Sequence, residues 1–130
     1  MLALQGGVVE HERVLDDLGV AHRKVRLPEH LDGLSAIILP GGESTTMSKL
    51  MRFNGLLEPL YDALRGGLPA FGTCAGMILL ASTVLDTRDD AVRLGALDVT
   101  VRRNAFGRQV DSFETVLAFA GLDCPVPATL

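Results

Sequence analysis

Long apolar runs and clusters of basic residues are both missing from this 130-residue sequence. A membrane-spanning helix needs about 20 consecutive apolar residues, and a secretory signal begins with a basic segment followed by an apolar core. Neither pattern occurs here. The net charge of −4 also predicts no basic surface of the kind that binds nucleic acid. We therefore expect a cytoplasmic protein that binds neither membranes nor nucleic acids.

Cysteine is scarce, because the chain has only Cys74 and Cys124. The two lie far apart in different contexts, so they provide neither a disulfide framework nor a cluster of metal ligands. We expect two reduced thiols, and we predict no metal and no cofactor.

The overall composition is that of a folded domain. Hydrophobic residues make up 48% of the chain and charged residues 22%, which excludes a disordered protein. A chain of this length buries about two-thirds of the surface that it exposes when unfolded. We predict a single domain over residues 1–130.

The segment Gly72-Thr73-Cys74-Ala75-Gly76 has the form of a nucleophile elbow, a tight strand-to-helix turn with small residues two positions before and after the nucleophile. Apolar runs at residues 69–71 and 77–81 predict a buried strand before it and a buried helix after it. The helix N-terminus favours the reactive thiolate of Cys74. The Ala75 N–H points to where an oxyanion forms when sulfur attacks a carbonyl. A buried, inert cysteine followed by a C-capping glycine remains the alternative interpretation.

Strand and helix patterns alternate before the elbow. Strands are predicted at residues 1–5, 20–27 and 36–39, and amphipathic helices at residues 8–18, after residue 44 and at residues 56–64. This alternation predicts a mainly parallel sheet covered by helices on both faces, with the functional loops at the carboxyl ends of the strands. We expect the loops at residues 40–44 and 72–74 to face each other.

The segment Pro40-Gly41-Gly42-Glu43-Ser44-Thr45-Thr46 has three interpretations. Glycines before a helix can cradle a phosphate, although the lysine of a P-loop and the spacing of a dinucleotide-binding loop are both missing. The segment can also be a plain cap of the helix that follows. We favour the third interpretation, in which the Gly41-Gly42 peptide donates an N–H to an oxyanion formed at Cys74.

Histidine is scarce as well. A cysteine nucleophile usually works with a histidine base that a carboxylate or an amide orients. His11, His22 and His30 all precede the elbow, on the first helix, on the polar face of a strand and in a loop. We predict none of the three as the base.

A different arrangement is predicted after the elbow helix. Residues 83–96 are polar and contain glycine, and residues 97–102 alternate as a half-exposed strand. Residues 104–109 have the composition of a hairpin turn, and residues 110–117 that of the returning strand. We expect this part of the sheet to be antiparallel.

Four segments, at residues 3–6, 39–47, 71–77 and 103–114, together closely resemble the glutaminase subunit of the two-protein pyridoxal phosphate synthases. All triad-type glutamine amidotransferases share the elbow. The Gly-Gly-Glu-Ser-Thr-Thr segment at 41–46 and the Arg-Asn-Ala-Phe-Gly-Arg-Gln segment at 103–109 are much more specific to this one family. The resemblance extends over nearly the whole chain.

The resemblance implies a flavodoxin-like, three-layer α/β domain that hydrolyses L-glutamine to glutamate and ammonia through a cysteine thioester. It also implies a partner barrel subunit that uses the ammonia to build pyridoxal 5'-phosphate. By position, Cys74 matches the catalytic nucleophile, and Gly41, Gly42 and Ala75 match the oxyanion donors. Gly42, Glu43 and Ser44 match the glutamine-binding loop, and Arg103 matches an arginine beside the substrate, where its planar fork suits a carboxylate.

The family pattern is incomplete in one respect. The family completes its triad with a His-x-Glu pair in a later Phe-His-Pro-Glu segment. It also has an Ile-Arg pair that contacts the substrate beyond the position of Leu130. Neither segment occurs in these 130 residues. We therefore expect a C-terminally incomplete domain with a shortened first strand. An alternative interpretation is a truncated, inactive domain that only docks on the synthase subunit. A third interpretation is a redox-responsive cysteine protein.

Overall fold

The computed structural model describes residues 1–87, 91–103, 105, 113–118 and 120–129. Its elements, in chain order, are α1 (Val8–Asp17), a 3-10 turn (Pro28–Leu31), β1 (Ile37–Leu39), α2 (Ser44–Phe53), α3 (Leu57–Arg65), β2 (Ala70–Gly72), α4 (Ala75–Leu80), β3 (Ala81–Leu85), β4 (Leu97–Arg102), β5 (Glu114–Leu117) and β6 (Val126–Thr129).

The strands of the first half of the chain are parallel, as the alternation predicts. β1 pairs with β2, and Ile37 lies opposite Ala70. On the other side of β1, the Leu2 N–H donates to the Ile38 carbonyl over 2.8 Å, and Leu2 forms a parallel bridge with Val25. In chain order, the segments at Leu2 and Val25 are the first and second, and β1 and β2 are the third and fourth. Their order across the sheet is therefore 2-1-3-4, the order with which a flavodoxin-like sheet begins. The segments at Leu2 and Val25 are shorter than the strands predicted at residues 1–5 and 20–27, since a single bridge joins them.

The core lies between these strands and helices α2, α3 and α4. Leu2 and Leu39 from the strands are fully buried, as are Met47, Leu60 and Leu79 from the helices. Burying each such side chain contributes about 1.5–3 kcal/mol, whereas α1 has no buried residue. The core thus fixes the carboxyl ends of β1 and β2, where both predicted site loops begin.

The prediction that β2 is a buried strand is wrong. Ala70 is exposed and Phe71 is 60% exposed. Within the part of the chain that the structure describes, β2 pairs only with β1. An apolar run of three residues indicates a strand but does not determine whether it lies inside the sheet or at its edge.

The second half of the chain corrects the predicted strand directions. Residues 81–85 form a strand, β3, where a polar segment was predicted from residue 83, and β3 pairs with β4 in parallel. Before β4 begins, the chain returns to the core beside α4. Val92 and Leu94 are buried, and the Leu94 N–H donates to the Leu79 carbonyl over 2.8 Å. A connection that crosses back over α4 in this way makes the next strand parallel.

An antiparallel pair lies farther along the chain, but it is not the predicted pairing of residues 97–102 with residues 110–117. β5 pairs with β6, and Glu114 lies opposite Thr129. The predicted strand at residues 97–102 is confirmed as β4. The predicted hairpin turn at 104–109, apart from Ala105, and the first part of the predicted strand at 110–117 lie outside the described residues.

Candidate active site

Cys74 lies at the turn between β2 and α4, as the elbow pattern predicts. Its φ of 48° and ψ of −108° are sparsely populated for a residue with a side chain. The turn is held by the Thr73 N–H, which donates to Leu39 over 3.1 Å, and by the Gly76 N–H, which donates to Thr73 over 2.8 Å. Cys74 is exposed, so the alternative interpretation that it is buried is wrong.

Two glycines make this turn sterically possible. A Cβ at Gly72 would lie 2.7 Å from the Gly76 carbonyl carbon and from the Met77 nitrogen. A Cβ at Gly76 would collide with the Leu39 carbonyl group and lie 2.8 Å from the Leu39 Cβ. The strand, the elbow and the helix therefore approach one another more closely than any side chain would allow.

The Gly41-Gly42 loop lies beside the elbow. A Cβ on Gly41 would be 3.4 Å from the Cys74 Cβ and 3.6 Å from the Thr73 carbonyl oxygen. The two loops predicted to face each other thus lie side by side, with Gly41 so close to the elbow that a methyl group on it would contact Cys74. Ala75, the first residue of α4, is buried, and its N–H has no partner within its own helix, as for every first helical residue.

Glu43 caps helix α2 with its side chain. Its carboxylate accepts from the Thr45 N–H over 2.9 Å, and from the Thr46 N–H and hydroxyl over 2.7 and 2.8 Å. The Thr45 backbone hydrogen bond, followed by the Thr46 side-chain bond, lowers the pKa of Glu43 to about 2. The carboxylate is thus engaged within the loop, while Ser44 is buried at the first position of the helix. The plain cap interpretation holds for the Glu43 side chain.

Arg103 approaches this loop from the end of β4. Its Nη2 lies 3.7 Å from Oε1 of Glu43, and 27% of its side chain is exposed. The contact joins the family-specific segment at 103–109 to the one at 41–46. Among the predicted site residues, the structure thus places Gly41 against Cys74, and Arg103 against Glu43.

Two residues near the site were missed by the sequence analysis. The Gln5 side-chain carbonyl accepts from the Glu43 N–H over 2.8 Å. The His11 Nε2 lies 3.3 Å from the Thr73 hydroxyl, and its Nδ1 lies 2.8 Å from the Gly7 carbonyl. The position of Gln5, at the carboxyl end of the first predicted strand, is a signal that could have identified it. His11 has no comparable local signal.

The other two histidines lie in unrelated contacts. His22 lies 3.6 Å from the Asp16 carboxylate. The Nδ1 of His30 lies 3.2 Å from the Arg26 N–H and 3.3 Å from the Leu27 N–H. These positions agree with the ordinary interpretations given to them from the sequence.

A cavity of about 430 Å³ lies elsewhere, between the start of the chain and residues 20–23 and 33–36. It is mainly apolar, and it lies at the amino ends of the parallel strands. The elbow is at their carboxyl ends, where the functional loops of a parallel sheet belong, so we assign this cavity no chemistry.

Over the described ranges, the structure has no site for a metal ion and no membrane-spanning helix. No group of histidine, cysteine and acidic side chains there could hold a metal ion. No described helix is long and apolar enough to cross a membrane.

Comparison with known proteins identifies relatives along the whole chain. The model of the SNO glutamine amidotransferase family matches residues 1–130. Pyridoxal 5'-phosphate synthase subunit PdxT of Corynebacterium jeikeium (strain K411) is 62% identical over 128 residues, which are 98% of this chain and 66% of that protein. The subunit of the same name from Rhodococcus opacus (strain B4) is 62% identical over 122 residues, which are 94% of this chain and 60% of that protein.

A solved structure described as a glutamine amidotransferase is also similar. It is 46% identical, with a TM-score of 0.87, over 98% of this chain and 67% of that chain. These findings confirm the predicted resemblance and the flavodoxin-like α/β class. The chain spans 60 to 66% of the length of the two curated relatives described above.

Proposed function

Because the chain belongs to the SNO glutamine amidotransferase family, we propose that it carries the glutaminase centre of a pyridoxal 5'-phosphate synthase. The reaction is hydrolysis of L-glutamine to glutamate and ammonia. The observation that supports this most directly is the exposed Cys74 on a strained elbow directly beside the Gly41-Gly42 loop. We assign the reaction to the cytoplasm, where thiols stay reduced.

The proposed chemistry has two steps. The Cys74 thiolate attacks the side-chain amide carbon of glutamine, the C–N bond breaks, and the nitrogen leaves as ammonia after taking up a proton. Water then cleaves the thioester and releases glutamate. The Ala75 N–H and an N–H of the Gly41-Gly42 peptide stabilise the oxyanion. Losing one such donor typically raises the activation free energy by about 2.7–4 kcal/mol.

Substrate binding is proposed for the loop around the α2 N-terminus. The Glu43 carboxylate is held by Thr45 and Thr46, and its backbone N–H donates to Gln5. We therefore assign the backbone contacts with glutamine to Gly42 and Ser44, and we propose that Glu43 shapes this loop. Arg103 supplies a planar cation for the substrate carboxylate. Proton transfer is assigned to none of the three histidines, because their contacts lie with other groups.

The ammonia is proposed to pass to a second, synthase subunit. The relatives are named as subunits of a synthase, and the resemblance implies a barrel partner that consumes ammonia. Hydrolysis and delivery then belong to one heteromeric complex.

Labelling with a chloroketone analogue of glutamine tests the proposed centre. The analogue should form a thioether with Cys74, with loss of chloride, and L-glutamine should slow this labelling whereas D-glutamine should not. Peptide mapping by mass spectrometry reads out the site. Cys124 is an internal control, because it is also an exposed thiol. Equal labelling of both cysteines, or no protection by L-glutamine in the natural full-length protein, would argue against the proposal.

Arg103 should matter for binding of glutamine rather than for the chemical step. We expect Arg103→Ala to raise the KM for glutamine by about 10- to 100-fold, because a hydrogen bond to a charged group contributes about 1.5–3 kcal/mol. Arg103→Lys should fall between the alanine variant and the parent, since lysine keeps the charge and loses the fork.

The neighbouring Arg102 provides a matched control for this prediction. It pairs with Asp86 over 3.2 Å and its side chain is 63% exposed, so Arg102→Ala should leave the KM unchanged. Equal KM values for the parent and both Arg103 variants would remove Arg103 from the binding site.

A further inference from the structure

His11 connects the two loops of the proposed centre. Its Nδ1 lies 2.8 Å from the Gly7 carbonyl oxygen. That oxygen can only accept, so Nδ1 carries the proton. In the neutral ring, Nε2 is then the acceptor and takes the hydroxyl hydrogen of Thr73 over 3.3 Å. The imidazole thus bridges the start of α1 and the residue directly before Cys74.

The bridge continues to the opposite loop. The Gly7 N–H donates to the Gly41 carbonyl oxygen over 2.9 Å. This carbonyl belongs to the Gly41-Gly42 peptide, and in a trans peptide the N–H points away from the C=O. The bond to Gly7 therefore sets the direction of the Gly42 N–H, one of the proposed oxyanion donors.

The surrounding packing leaves little freedom along this connection. A Cβ on the preceding residue, Gly6, would collide with the Gly41 carbonyl oxygen, so the 6–7 turn lies directly on the loop. A Cβ on Gly41 would lie 3.8 Å from the Thr73 hydroxyl. The loop is thus enclosed between the turn and the elbow, and His11 is the side chain that bonds to both.

We infer that His11 is a positioning residue of the centre, which holds the nucleophile at residue 74 in register with the Gly41-Gly42 peptide. It acts through Thr73 and Gly7 and does not itself exchange a proton with the substrate. The inference rests on the proposed function, since register between nucleophile and oxyanion donor matters only for attack on a carbonyl. A misplacement of about 1 Å in such a centre can cost about 10²-fold in rate.

The variants separate the two ends of the bridge. His11→Asn keeps an N–H near the position of Nδ1 but loses the reach to Thr73, and Thr73→Val removes the hydroxyl from the other end. His11→Gln keeps a polar group near the position of Nε2 but loses the bond to Gly7. Thr73→Ser keeps the hydroxyl and is the conservative variant. His22→Asn is the matched control, because that ring faces Asp16 at the surface.

Two labelling reagents distinguish positioning from a general structural role. The glutamine chloroketone needs both the thiolate and the oxyanion donors, whereas iodoacetamide needs only an accessible thiolate. In the natural full-length protein, we expect His11→Asn and Thr73→Val each to slow labelling of Cys74 by the chloroketone about tenfold or more. The rate with iodoacetamide and the melting temperature should change little. Thr73→Ser and His22→Asn should label near the parent rate. His11→Gln should also be slowed, because it keeps the contact with Thr73 but not the bond to Gly7.

The double variant His11→Asn/Thr73→Val completes the experiment. Because both changes break the same bond, it should react no more slowly than the slower single variant. Additive losses, an equal loss with iodoacetamide, or parent rates with the chloroketone in both single variants would overturn the inference alone. A parent protein that the chloroketone does not label would instead contradict the proposed function.

Discussion

Cys74→Ala is expected to abolish the hydrolysis of glutamine and to leave the fold intact. In the natural full-length protein assayed with its synthase subunit, release of ammonia should fall by at least about 10⁴-fold, since removing the nucleophile of such a centre removes the covalent route altogether. Alanine is as small as the elbow requires, so the far-ultraviolet circular dichroism should match that of the parent. An assay coupled to glutamate formation measures the loss.

The second thiol provides the control for this result. Cys124 is also exposed, and it lies outside the contacts that form the elbow, so Cys124→Ala should retain the parent rate. Turnover retained in Cys74→Ala would reject the assignment of the nucleophile. A fall in turnover together with loss of the circular dichroism signal would mean that the substitution had damaged the fold.

The elbow could be predicted because its determinants are local. Glycines two residues before and two residues after Cys74, between an apolar strand and an apolar helix, specify one tight turn, and the structure has Cys74 at φ 48° between β2 and α4. The cap of α2 could also be predicted from position alone. Glu43 precedes the helix and accepts from two of its first N–H groups.

The directions of the later strands could not be predicted in this way. Alternation at residues 97–102 indicates a half-exposed strand but contains no information about its partner or its direction. The partner is β3, and the pairing is parallel because Val92 and Leu94 enter the core before β4 begins. The β-branched pair Thr83 and Val84 was a signal for β3 that the surrounding polar residues obscured.

The contacts around Cys74 could not be predicted either, because they join residues that lie far apart in the chain. His11 and Thr73 are 62 residues apart in the chain, and only the parallel order of the strands brings α1 beside the elbow. Spacing along the sequence places His11 on the first helix, in line with Val14 and Leu15, where it has no evident role. The contacts of Gln5 and Arg103 with Glu43 are likewise long-range.

Backbone contacts also hold the elbow in place. The Leu39 carbonyl at the end of β1 accepts from the Thr73 N–H of the elbow, and Gly76 packs against the same carbonyl. Cys74 retains a conformation that costs about 1–3 kcal/mol. The close contact between α4 and β1 is therefore what keeps the nucleophile in its strained position.

Gly76→Val is accordingly expected to prevent folding, and even Gly76→Ala should cost at least about 3 kcal/mol of a total stability of about 5–15 kcal/mol. A Cβ at this position meets the backbone of β1, which cannot rotate away as a side chain could.

Gly55→Ala is the matched control for this prediction. The φ of Gly55 is +66°, and nothing lies within 4 Å of the added Cβ. Only the left-handed conformation therefore reduces the stability of this variant, by about 1–2 kcal/mol. Urea unfolding followed by circular dichroism compares the variants. If Gly76→Ala destabilised the protein less than Gly55→Ala, or if Gly76→Val unfolded at the parent midpoint, the tight contact between α4 and β1 would not exist in solution.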